Sequence, residues 1–109
     1  SIHLPLNPET RNLFNAEKLA LMKSTAVLVN VGRGNVVNEQ DLYQALVGGR
    51  LSGAAIDVWA NEPIPPNNPL LSLDNVVVTP HVGGGTVDAA INNFQTSFQK
   101  IRETLRGNA

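Results

Sequence analysis

Short apolar runs alternate with amphipathic stretches along the chain. Residues 26–31, 53–58 and 76–79 are almost continuously apolar and rich in Val, Ile and Ala, which predicts buried strands. Residues 1–4 read as one more strand, ended by Pro5. Asn7-Pro8-Glu9 has the form of a helix start, with Asn as N-cap and Pro in the first helical position. Residues 15–23 predict a short helix with Leu19 and Met22 on one face. Asn38 caps the next, with Asp41 at the third position as a variant capping box. Leu42, Ala45 and Leu46 give that helix a buried face, and Gly48-Gly49 stop it. Residues 62–69 hold most of the prolines and predict a stiff, ordered loop. Residues 86–106 predict a long helix whose Val87, Ile91, Phe94, Phe98, Ile101 and Leu105 recur at spacings of four and three, a narrow stripe of the coiled-coil kind.

Strands alternating with helices imply βαβ units, a parallel sheet and right-handed crossovers, with both sheet faces covered. The class expected is α/β, a parallel sheet with flanking helices. At 109 residues the chain is long enough for one unit with a real core. A net charge of -1 gives no electrostatic basis for binding nucleic acid or an anionic membrane, and no apolar run is long enough to span a bilayer. There is no cysteine, which removes disulfides, thiol chemistry and the common structural zinc sites, and fits a cytoplasmic setting. Only His3 and His81 supply imidazole, so no multi-histidine metal site is expected.

In such a sheet the carboxyl ends of the strands share one edge, where ligands bind. Arg33 follows the strand at 26–31, Asp57 lies near the end of 53–58 with Glu62 five residues on, and His81 follows 76–79. Arginine offers a planar fork of donors suited to a carboxylate. Histidine passes protons near neutrality, and a carboxylate beside it favours the charged imidazole and fixes its tautomer. The set lacks an obvious nucleophile, so redox or proton-transfer chemistry fits better than acyl transfer. Gly32-Arg33-Gly34 lacks the third glycine of a dinucleotide fingerprint and is weak evidence by itself.

Three stretches, LVNVGRG (28–34), GAAIDVW (53–59, followed by Glu62-Pro63) and NVVVTPH (75–81), resemble signatures of the D-isomer-specific 2-hydroxyacid dehydrogenases. The opening HLPLNPETR (3–11) is similar to that family too. The resemblance implies an NAD(P)-dependent oxidoreductase transferring a hydride between NAD or NADP and a small 2-oxo or D-2-hydroxy acid. It makes His81 the general acid/base, Glu62 its partner and Arg33 the group that binds the substrate carboxylate and carbonyl. Asp57 would accept a hydrogen bond from the nicotinamide carboxamide. Leu4, Pro5, Val31, Gly32, Gly83 and Gly84 would lie against the cofactor. The alternative is a non-catalytic nucleotide-sensing or interaction module on the same fold.

Members of that family are longer, with a glycine-rich fingerprint upstream of any stretch found here. The chain is therefore expected to be a single unit, residues 1–109, forming the second half of a Rossmann-type, doubly wound NAD-binding domain, and inactive alone. Self-association into a dimer or larger homo-oligomer is expected from the apolar edge at residues 1–4 and from the stripe on the terminal helix.

Overall fold

β-Branched and small apolar residues build three short parallel strands in a computed structural model that describes residues 1–107. They are β1 (Val27–Asn30), β2 (Gly53–Ile56) and β3 (Val76–Val78), in the order β1-β2-β3, with Leu28 opposite Ala54 and Ala54 opposite Val76. The helices are α1 (Ala16–Ala20), α2 (Glu39–Val47) and α3 (Val87–Gly107). Short 3-10 turns occupy Gly34–Val36 and Pro69–Ser72. The proline-rich loop is ordered as expected, and the Asn68 side chain caps the second of these turns.

Register decides which side chains meet the core. Leu28, Asn30, Ala54 and Ile56 point to one face and are buried, against Leu19 of α1 and Leu42, Ala45 and Leu46 of α2. Among the described residues no helix covers the opposite face: Val27 and Val77 are 55% and 66% exposed. This corrects the expectation that helices flank both faces. The strands step in one direction across the sheet, and right-handed crossovers that all step the same way lie on the same side.

Three local expectations are also revised. Residues 1–4 supply only one bridge: Ile2 donates its N–H to the Val29 carbonyl (2.8 Å) and accepts from Val31 (3.3 Å). Beyond it the chain crosses over Gly32, where an added Cβ would sit 2.9 Å from the Leu4 carbonyl oxygen. The Asn7 side chain does accept from the N–H groups of Glu9 and Thr10, but the helical turn it starts ends at Asn12, whose φ is 51°. Asn12 and Phe14 then bond to the carbonyls of Asn35 and Val36, which a continued helix would prevent. The helix expected over 15–23 stops at Ala20 because the chain must turn into β1.

Asn38 caps α2 as expected, accepting from the Asp41 N–H (3.0 Å). The Asp41 carboxylate does not complete the capping box. It accepts instead from the Ala16 N–H (2.9 Å), tying the start of α1 to α2. The long terminal helix is present, none of its residues is buried, and it contributes to a longest dimension of 60 Å against 27 and 24 Å for the others.

Candidate active site at the carboxyl edge of the sheet

Each strand ends in a loop that a polar side chain holds in place. After β1, buried Asn30 accepts from the Gly32 N–H (3.2 Å) and donates to the Arg33 carbonyl (3.1 Å), bending the chain so that Arg33 emerges at the rim. Gly34 then passes so close to the next loop that an added Cβ would lie 2.0 Å from the Trp59 carbonyl carbon. That contact brings the loops after β1 and β2 together. Glu39, at the start of α2, accepts from the Ala60 N–H and from the Asn68 amide, anchoring both ends of the loop that carries Glu62.

After β3 the chain is fastened to the β2 loop. Asp57 accepts from the Thr79 hydroxyl (2.5 Å) and the Val82 N–H (2.9 Å) on one oxygen, and from the Gly83 N–H (3.0 Å) on the other. Successive N–H groups aimed at one anion form a nest, which needs a left-handed residue beside it. His81 takes that conformation, with φ of 59°. Such a φ is uncommon for a residue with a Cβ, though histidine tolerates it better than most. The Thr79 hydroxyl bond, with the two N–H bonds, holds the Asp57 carboxyl below the usual range for aspartate, against the opposing effect of burial.

This bracing aims the imidazole. His81 Nδ1 lies 2.7 Å from Glu62 Oε2, while Glu62 Oε1 accepts from the Trp59 N–H (3.0 Å). The bond to His81, then that to Trp59, lowers the Glu62 pKa. Both members of the pair are partly open to solvent. A cleft of about 350 Å³ is lined by Arg33, Glu62 and His81 together with Leu6, Trp59 and Ala60. Arg33 donates to the Gly32 carbonyl (2.8 Å) and makes no ion pair among the described residues, which leaves most of its fork free.

Arg33, Glu62 and His81 are thus brought together as expected. Asp57 stands behind them and does not line the cleft; the structure gives it a bracing contact network. Leu4 lies over Gly32 where the opening segment crosses the end of β1, with Pro5 next in the chain, and Val31 donates its N–H to the Ile2 carbonyl. Gly83 is held on Asp57, and Gly84 stands clear, with no atom within 4 Å of an added Cβ. Asn30 and Glu39 were not picked out from sequence. Asn30 carried a signal, a lone polar residue in an apolar strand, whereas Glu39 looks like any acidic residue in a first helical turn. Among the described residues no cluster of three or more potential metal ligands occurs, and no helix is long and apolar enough to cross a membrane.

A parallel sheet with flanking helices and its ionisable groups at the carboxyl edge is the arrangement of Rossmann-type NAD-binding domains. Residues 1–83 match the family "D-isomer specific 2-hydroxyacid dehydrogenase, NAD binding domain", and the chain belongs to it. It is 52% identical over 106 residues to glyoxylate/hydroxypyruvate reductase B of Pectobacterium carotovorum, covering 97% of this chain and 33% of the relative. The structure of an NADPH-dependent glyoxylate/hydroxypyruvate reductase from Sinorhizobium meliloti, with NADP and malonate, superposes with a TM-score of 0.75 at 40% identity, over 80% of this chain and 27% of that one. The NAD-dependent formate dehydrogenase of Staphylococcus aureus, in complex with NAD, gives 0.78 at 38% identity, over 95% and 31%. The chain spans a third or less of the length of such curated relatives, and only 20% of D-3-phosphoglycerate dehydrogenase from Methanocaldococcus jannaschii.

Proposed function

We propose that this chain carries the catalytic edge of a larger NAD(P)-dependent reductase, acting on a small 2-oxo acid and, in reverse, on the D-2-hydroxy acid. The observation that carries the reading is the 2.7 Å Glu62–His81 pair opening on the same cleft as an unpaired arginine. The Arg33 fork binds the substrate carboxylate and steadies the carbonyl oxygen. Glu62 accepts the Nδ1–H of His81, which turns Nε2 toward the cleft, where it gives a proton to the carbonyl oxygen or takes one from the alcohol. Bound nicotinamide supplies or accepts the hydride.

The residues present suit the nicotinamide end of NAD or NADP. Leu4 and Val31 are partly exposed apolar groups beside Gly32, where a side chain would collide with the Leu4 backbone. With Pro5, Gly83 and Gly84 they form the surface proposed to meet the cofactor, and Asp57 keeps the carboxamide role only through lone pairs its braces leave free. The chain has no phosphate-cradling GxGxxG turn. Alone it is therefore proposed to be inactive, a part of a longer cytoplasmic enzyme that works as a homo-oligomer. A non-catalytic module would have no use for a proton carrier paired with a carboxylate.

Arg33→Lys in the longer enzyme tests the assignment, because a point charge cannot replace a bidentate fork. The expected loss in kcat/KM for 2-oxo acids is about a hundredfold, as for a charge-assisted contact of ~2–3 kcal/mol made in the transition state. An unchanged kcat/KM would remove Arg33 from the site.

A further inference from the structure

Glu39 spends both carboxylate oxygens on one distant loop. Its Oε1 accepts from the Ala60 N–H at 2.6 Å, and its Oε2 accepts from the Asn68 side-chain amide at 3.0 Å. Glu39 is the first residue of α2, where a carboxylate ordinarily serves its own helix. Here the Asn38 side chain already caps that helix, and both Glu39 oxygens reach out of it. We infer that Glu39 is a positioning residue for the reaction: it clasps the loop of residues 60–68 so that Glu62 stands in line with His81. The inference rests on the reading of Glu62 and His81 as the proton-transferring pair.

The loop has little else to hold it. Pro63, Pro65 and Pro66 have no N–H to donate, and the loop's one internal backbone bond runs from the Asn68 N–H to the Pro65 carbonyl at 3.0 Å. From outside, the Asn35 amide reaches the Ala60 carbonyl only at 3.4 Å. Among the described residues Glu39 is the one side chain outside the loop that bonds to both of its ends. It acts from a rigid element, because Leu42, Ala45 and Leu46 fix α2 in the core.

The clasp also adjoins the catalytic pair directly. Two successive N–H groups are divided between two carboxylates: Trp59 donates to Glu62 Oε1 at 3.0 Å, and Ala60 donates to Glu39. Glu62 Oε2 is thereby left for His81 Nδ1 at 2.7 Å. Holding Ala60 therefore holds the backbone from which Glu62 takes its bearing, and proton transfer is sensitive to small misplacements of that kind.

The chemistry of the far end is specific to a carboxylate. Asn68 Oδ1 accepts from the Leu70 N–H at 3.0 Å, so its NH₂ group is the part that faces Glu39. A carboxylate accepts at both oxygens, whereas Glu39→Gln sets one NH₂ group against another.

Steady-state kinetics of the longer enzyme test the role, following NADH or NADPH oxidation with pyruvate and glyoxylate as the 2-oxo acids. Glu39→Gln should lower kcat about tenfold and leave KM for the 2-oxo acid within about twofold, because Arg33 is set by Asn30 and not by this loop. Asn68→Asp should lower kcat by a similar factor, since it brings two carboxylates face to face. The two substitutions together should restore most of kcat: the new carboxylate accepts from the new amide and still accepts from the Leu70 N–H. In a Glu62→Gln background, Glu39→Gln should lower kcat further by less than about twofold, because its effect passes through Glu62. Additive losses in the Glu39→Gln, Asn68→Asp enzyme would overturn the inference. So would a raised KM at unchanged kcat, or loss of the fold by circular dichroism in Glu39→Gln. Full activity of Glu39→Gln beside an impaired Glu62→Gln would overturn it while leaving the catalytic reading in place. Full activity of Glu62→Gln would overturn that reading and this inference with it.

Discussion

Helices α2 and α3 are both amphipathic, yet one lies at the centre of the core and the other buries none of its residues. Leu42, Ala45 and Leu46 of α2 are buried, while no residue of α3 is. Periodicity in a sequence says which face of a helix is apolar; it does not say what covers that face. For α2 the cover follows from topology, since the crossover from β1 to β2 has to lie on the sheet. For α3 the pattern gives the apolar face, and the topology of the described residues does not name its cover.

The contrast is sharpest in large-to-small substitutions. Leu42→Ala removes a side chain with no exposed surface and should cost about 3 kcal/mol in urea unfolding of the body. Phe94→Ala removes a larger group from α3, yet should change the same transition by no more than ~0.5 kcal/mol, since no residue of α3 is buried. Comparable losses from the two would mean that α3 packs on the body after all.

Asp57→Asn is expected to rank next, at about 2 kcal/mol, because it removes the anion that the Thr79 hydroxyl and two backbone N–H groups surround. The folded-state pKa of Asp57 is lowered, so its contribution is fully present above the unfolded value of 3.8 and disappears as pH falls through the lower, folded value. Acid titration of stability should therefore flatten in Asp57→Asn below about pH 4. A variant with the same acid limb as wild type would show that the carboxylate is not the brace. The helical content of α3 should not change.

The smallest effect concerns the caps. Asn38→Ala deletes the cap of a packed helix and should lower the stability of the body by ~1 kcal/mol. Thr86 caps α3, its hydroxyl oxygen accepting from the Ala89 N–H. Thr86→Ala should fray α3 and leave the unfolding midpoint of the body in place, which paired urea titrations would show.

Much of this architecture was legible beforehand. The three strands, the Asn38 cap, the buried face of α2 and the long terminal helix all follow from local pattern and capping chemistry. What was misjudged depended on chain direction and on distant partners. The Asn7 cap starts a helical turn as its chemistry requires, but the backbone groups that follow bond to residues 35 and 36, which no local window contains. The two-sided cover of the sheet was inferred from apolar strands alone, although strand order decides it. At the edge, residue types and loop order sufficed to bring Arg33, Glu62 and His81 together. The inward pull on Asp57 was not foreseeable, because it arises from backbone N–H groups released by the left-handed turn at His81.

Trp59 touches every part of that edge. Gly34 presses on its carbonyl, Glu62 accepts from its N–H, and its indole Nε1 donates to the Thr79 carbonyl at 2.9 Å. It is also the only tryptophan in the chain, and α3 contains neither tryptophan nor tyrosine. Emission excited at the red edge of indole absorption therefore reports on the junction of the three strand-end loops and is blind to the terminal helix. Far-ultraviolet ellipticity weighs the molecule the opposite way, since α3 has 21 residues against 5 in α1 and 9 in α2. Melting curves followed by the two signals should separate in dilute solution, with ellipticity falling first as α3 frays and fluorescence holding until the sheet gives way.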